Sequence, residues 1–176
     1  HPTDGPTSAP TDDPTSVPTD DPTSAPTEPE LPPVDGIQNG GFETGLDGWV
    51  RSNTASLSSH RHEGSRAARL GAASATRGDS ILSQTFTVPT DRSKLSVWWQ
   101  GRCSDKVRKG WAGGFVKNNT TGELSTLLAP TCANGSDWRN AEVAVTPGQS
   151  YTVQLVSHDA TKRTRNRTYF DDVRLS

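Results

Sequence analysis

The chain has 176 residues, 30% of them hydrophobic, and a formal charge of −2, which suits one domain with its own core and leaves no apolar run of the ~20 residues a membrane span needs. Charge is unevenly divided: eight of the 20 acidic residues lie in the first 35 positions, where there is no lysine or arginine, so the remainder carries 18 basic against 12 acidic residues. An acidic tail on a basic body points to an anionic partner, or to attraction between the two parts, and no motif that reads nucleic acid accompanies the charge.

Residues 6–29 repeat proline, threonine, serine and acid with a period of eight. Frequent proline forbids both helix and sheet ladders, so residues 1–36 are expected to form a disordered, polyproline-like linker whose hydroxyls are candidate O-glycosylation sites. The next stretch, NGGFETGLDGW from Asn39 to Trp49, is expected to open the first strand of a folded domain spanning residues 37–176. In it Gly40 and Gly41 permit tight turning, Phe42 offers a core anchor and Glu43 a carboxylate.

From Asn39 onward about ten short strand candidates recur at roughly 8- to 15-residue spacing between Gly, Asn, Asp and Pro turns, the pattern of an all-β sandwich or barrel. The clearest are Asp79–Val88, Lys94–Gly101, Trp111–Lys117, Ala141–Thr146, Tyr151–His158 and Thr168–Leu175. Alternation puts Leu95, Val97 and Trp99 on one face and Ser96, Trp98 and Gln100 on the other; Tyr151, Val153 and Leu155 likewise oppose Thr152, Gln154, Val156 and His158. NNTTG, residues 118–122, reads as a hairpin turn.

Cys103 and Cys132 are the only cysteines. Two are too few for a zinc site, and a disulfide between them, in an extracytoplasmic protein, is favoured over two buried thiols. No signal peptide is visible, and a first residue other than Met fits a fragment of a larger secreted protein. Near the C-terminus, Asp171 and Asp172 are adjacent in a strand that otherwise packs, so one of them must face the interior or the sheet rim and needs a partner. Calcium, which collects carboxylate and carbonyl oxygens, is such a partner, and the first and last strands of the domain are expected to share one ion. Catalysis finds little support: there is no Gly-x-Ser-x-Gly elbow for His60, His62 or His158 to serve, and no second carboxylate pair for glycoside hydrolysis.

Together, Asn39–Glu43, Gly48–Trp49, the segment EGSRAARL from Glu63 to Leu70, and Phe170–Val173 resemble bacterial carbohydrate-binding modules of the family four and nine type. Gly78–Ser80 leading to Gln84–Pro89, with the cysteine pair, is similar to domains attached to secreted actinobacterial hydrolases and proteases. The resemblance implies a jelly-roll β-sandwich of two antiparallel sheets with a structural calcium held by the carbonyl of Gly41, the side chain of Glu43, the carbonyl of Glu63, and Asp171.

A pyranose binds by laying its C–H face on an aromatic ring beside hydrogen-bonding side chains. Trp98 with Gln100 is the leading candidate surface, and Trp111 and Trp138, at strand starts, are further ones. Basic loops at 102–109, including Arg108 and Lys109, and at 162–167 are expected to lie at one end of the sandwich, near Trp98, Gln100, Gln154 and His158. The resulting expectation is a monomeric, secreted, noncatalytic module that holds a catalytic domain of the same parent chain on polysaccharide, anionic polysaccharide included, without specific nucleic acid or membrane contact. The competing expectation is an accessory or protein-interaction sandwich of a secreted protease or hydrolase with no sugar site.

Overall fold

The structure is a computed structural model that describes residues 34–72, 74, 76–103, 107–160 and 166–176. The linker expected over residues 1–36 therefore falls almost wholly outside the described residues. Eleven strands are described and no helix: β1 Val34–Asp35, β2 Val50–Ser52, β3 Ala55–Ser58, β4 Ala67–Gly71, β5 Gly78–Thr87, β6 Lys94–Cys103, β7 Gly110–Asn118, β8 Leu124–Thr131, β9 Arg139–Ala144, β10 Ser150–Asp159 and β11 Asn166–Leu175. They form two facing sheets, one ordered β1-β5-β10-β7-β8 with β2 also along β5, the other β3-β4-β11-β6-β9. Every pairing is antiparallel except the two-residue β1–β5 contact. This is the jelly-roll β-sandwich that the sequence implies.

Alternation builds the core. Leu82 and Phe86 of β5, Val153 and Leu155 of β10, Leu95, Val97 and Trp99 of β6, and Phe170 of β11 all point between the sheets and are buried. Pleating sends every second side chain to the same face, so one strand supplies both core and surface. Cys103 and Cys132 are disulfide-bonded, with Cα atoms 5.2 Å apart, and the bond ties the end of β6 to the end of β8 in the other sheet. The expected hairpin turn links β7 to β8, with the amide of Gly122 donating to the carbonyl of Asn118 at 2.7 Å.

The expectation that Asn39–Trp49 opens a strand is not met. Asn39 and Phe42 have φ values of 48° and 56°, in the left-handed region, where a strand ladder cannot continue. The segment is instead a run of turns, with amide-to-carbonyl bonds from Phe42 to Asn39 (3.1 Å), Gly45 to Phe42 (3.2 Å) and Trp49 to Leu46 (3.1 Å). The Asn39 side chain spans it, donating to the carbonyls of Gly45 and Asp47 and accepting from the amide of Thr44. Phe42 still anchors the core: it is fully buried and packs against Trp49 with ring centroids 5.3 Å apart.

This loop closes onto β11. The amide of Val173 donates to the carbonyl of Gly40 at 3.0 Å, and a Cβ on residue 40 would stand 2.0 Å from the carbonyl oxygen of Val173. Only glycine allows so close a backbone approach. Gly40→Ala is therefore expected to destabilise the domain by on the order of 2–4 kcal/mol, read as a lowered midpoint in urea unfolding.

Candidate functional site

The residues expected to form one binding surface are divided between the two outer faces of the sandwich. Trp98 and Gln100 are on the outer face of the β3-β4-β11-β6-β9 sheet, opposite Asp171 and Tyr169 of β11. Trp111, Gln154 and His158 are on the outer face of the other sheet.

The first of these faces is covered. After β3 the chain crosses it through residues 59–66, and His62 stacks on Trp98 with ring centroids 4.0 Å apart and planes at 12°. His60 hydrogen-bonds Gln100, stacks on Trp138 at 5.7 Å and meets the edge of Tyr169 at 4.9 Å. Gln100 in turn donates to the carbonyl of Ser136 and is 1% exposed. Alternation thus turns Trp98 and Gln100 away from the core, and a histidine-bearing loop lies over them, leaving Trp98 half-buried and Gln100 buried.

Two carboxylates fasten that loop. Asp171 Oδ2 accepts from the amides of His62 (2.8 Å) and Glu63 (3.2 Å), and Glu43 Oε1 accepts from those of Ser65 (2.8 Å) and Arg66 (3.1 Å). The backbone amides of Ser65 and Arg66 hold the Glu43 carboxyl below its ordinary range, whereas burial pushes that of Asp171 up against the N–H donors that favour its charge. A Cβ at residue 64 would lie 2.2 Å from Glu43 Oε1, so the carboxylate nests against backbone that only Gly64, at φ +61°, can provide. Neither Glu43 nor Asp171 forms an ion pair with a cationic side chain among the described residues. Beside them, Arg174 binds both Asp172 and Glu63, the latter at 2.8 Å, and His62 Nδ1 lies 2.8 Å from Asp172 Oδ2. His62, Glu63 and Asp172 bring potential metal-binding atoms within 4.8 Å of one another, but the Arg174 guanidinium already supplies positive charge to both of the carboxylates.

The second outer face carries two half-buried rings, Trp111 and Phe115. Cross-strand register places His158 between Asp79 of β5 and Trp111 of β7, and Gln154 between Ser83 and Phe115. His158 Nδ1 lies 2.6 Å from Asp79 Oδ1, and its ring stacks on Trp111 at 5.0 Å. Trp111 rests over Gly113, where an added Cβ would come within 2.8 Å of its ring, and Phe115 stands perpendicular to it at 6.3 Å. From the opposite sheet, the side-chain amide of Asn166 donates to the carbonyls of Trp111 and His158, holding the two strands under the rings.

Beside this aromatic corner runs a trough of about 230 Å³ lined by Phe115, Lys117, Asn119, Leu124, Thr152 and Gln154. Its polar wall is pre-set: Asn119 Nδ2 donates to Thr152 Oγ1 at 3.0 Å, and Thr152 and Thr85 hydroxyls are 2.8 Å apart. Phe115, Lys117, Asn119, Leu124 and Thr152 were not expected as site residues. Period two along the expected strand Trp111–Lys117 already places Gly113, Phe115 and Lys117 on the face of Trp111, which is the signal that could have found them.

Arg108 and Lys109 are exposed at the turn into β7, and the amide of Ala160 donates to the Lys109 carbonyl at 2.7 Å, so the start of β7 and the end of β10 lie side by side. Lys106, Lys162, Arg163 and Arg165 lie outside the described residues.

No family model matches the chain. A curated relative, exochitinase 1 of Streptomyces olivaceoviridis, is 31% identical over 127 residues, 71% of this chain, and the match takes up 19% of the length of that enzyme. Among solved structures the fold is similar to those of carbohydrate-binding modules. One is TmCBM61, solved with β-1,4-galactotriose, at a TM-score of 0.60 and 22% identity, covering 80% of this chain and 96% of that one. Another, family 16 carbohydrate-binding module 2, has a TM-score of 0.57 and 19% identity, covering 80% and 98%.

Gly113→Ala is expected to lift the indole of Trp111 off the sheet. The indole N–H resonance of Trp111 should shift in a two-dimensional NMR spectrum, while resonances around Trp98, on the opposite face, stay in place.

Proposed function

We propose that the chain is a noncatalytic module that binds polysaccharide in the Phe115 trough and holds an attached secreted enzyme close to it. The observation that carries this reading is the trough itself, with half-buried Phe115 in its wall, Trp111 beside that ring, and Gln154, Thr152, Asn119 and Lys117 around it, which together offer both the apolar surface and the hydrogen bonds a sugar needs. The perpendicular rings make a corner rather than a flat strip, which suits a separate chain or chain end better than a crystalline surface. None of the trough residues is a carboxylate, so the pair of acids that glycoside hydrolysis requires is not present there. The long chitinase relative and the sugar-binding modules of like fold support the same reading and suggest a catalytic domain in the parent chain.

An anionic polysaccharide is the narrower form of this reading, supported by Lys117 in the trough and by exposed Arg108 and Lys109. Leu124, 74% exposed at the trough rim, favours the second reading, a protein-interaction or accessory domain without a sugar site. Affinity electrophoresis over a panel of neutral and acidic polysaccharides separates the two. Retardation that is lost in Phe115→Ala and Trp111→Ala but kept in Trp98→Ala is the expected result; no retardation by any glycan would leave the second reading.

A structural calcium is part of the proposal. The carbonyls of Gly41 and Glu63 with the carboxylates of Glu43 and Asp171 would hold it, and its charge would balance two carboxylates that have only neutral N–H donors. Its role would be to fasten the 59–66 loop, away from the trough. Chelator is expected to lower the melting temperature by several degrees and calcium to restore it, while Glu43→Gln loses this response. An unchanged melting curve, with no ion by elemental analysis, would count against the ion and leave the sugar site standing.

A further inference from the structure

We infer that the outer face of the β3-β4-β11-β6-β9 sheet, away from the trough, carries a second binding site, an arginine surface for the sulfate or carboxylate groups of an anionic polysaccharide. Arg167 of β11 and Arg102 of β6 are directly opposite each other in the antiparallel ladder and point to the same outer face. Directly opposed residues hold their Cβ atoms about 4.5–5.5 Å apart, and like charges in that relation repel. On its other side Arg167 faces Gly71, which has no side chain to answer the charge. Arg69 adds a third guanidinium from β4, diagonal to Arg167, with its Nε donating to Ser56 Oγ at 3.1 Å.

What sets this row apart is the gathering of three guanidiniums without an acid among the described residues. Other strand cations have one, as Lys94 has Glu142 at 3.0 Å and Arg174 has Glu63 at 2.8 Å. Arg69, Arg102 and Arg167 form no ion pair with a carboxylate among the described residues. A guanidinium fork binds an oxyanion through two parallel N–H bonds, so an anionic group lying between Arg102 and Arg167 would turn their repulsion into shared attraction. Bases of a nucleic acid would need an exposed ring to stack on, and Tyr169, the aromatic residue next to this row, is buried with His60 against it. A polymer with a charged group on each sugar suits the face better. The site does not depend on the trough, and the two can succeed or fail separately.

The test is titration calorimetry of the whole chain with dextran sulfate and with polygalacturonate at low ionic strength, on wild type, Trp111→Ala and the double variant Arg102→Gln/Arg167→Gln. Binding of at least one of the two polymers by wild type and by Trp111→Ala, weakened at least about tenfold in the double variant, is the expected result. Unfolding without ligand controls for folding: relief of the Arg102–Arg167 repulsion should leave the melting temperature of the double variant equal to or above that of wild type. Equal binding by the double variant would overturn the inference, as would no binding of either polymer. Displacement of the bound polymer by a short single-stranded DNA at equal phosphate concentration would overturn the assignment to a glycan.

Discussion

The meeting of three segments at the end of β11 governs the rest of this molecule. The amide of Val173 is held by Gly40, the carboxylate of Asp171 gathers the amides of His62 and Glu63, and Glu43 gathers those of Ser65 and Arg66. Backbone N–H groups under a covering loop lose their water and must find acceptors, and the two acids provide them. The loop so fixed lays His60 and His62 across Trp98, Trp138 and Tyr169. One outer face thereby has a loop laid over its aromatic rings, whereas Trp111 and Phe115 on the other are half-buried among side chains of their own sheet.

The two outer faces then divide the chemistry. On one, glycine under an indole lets the ring lie on the sheet, and cross-strand neighbours supply an amide, hydroxyls and an ammonium around a trough. On the other, the aromatic residues are engaged in covering contacts, and toward the end at Cys103 the described residues offer Arg102 and Arg167 with no acid paired to them. A single strand such as β6 takes part in both the core and this charged face because its residues alternate: Leu95, Val97 and Trp99 point inward, and Trp98, Gln100 and Arg102 outward.

Much of this was legible in the sequence because period-two alternation is a local property. The strands from β5 onward and the inward sides of β6 and β10 follow from it, while the β7–β8 turn is read from its Asn and Gly residues and the disulfide from there being two cysteines. Asn39–Trp49 misled because glycine and asparagine at its start are as consistent with a strand entry as with left-handed turns, and only the contact with Val173 decides. Trp98 shows a different limit. Alternation tells which side of a sheet a residue faces, but not whether a loop almost forty residues earlier lies over that side. Phe115 lies on the same face of the expected strand as Trp111, but the trough beside it is built with Asn119, Leu124 and Thr152 from other segments, which alternation along one strand does not reveal.

The disulfide has a mechanical consequence. It bolts the end of β6 to the end of β8, on the side of the sandwich where β7 begins with Trp111. Load applied to a ring on the Trp111 face would otherwise be carried by non-covalent contact between two sheets that can slide. With the bolt in place, tension entering through one sheet is shared with the other close to Trp111, so the two sheets resist sliding as one body.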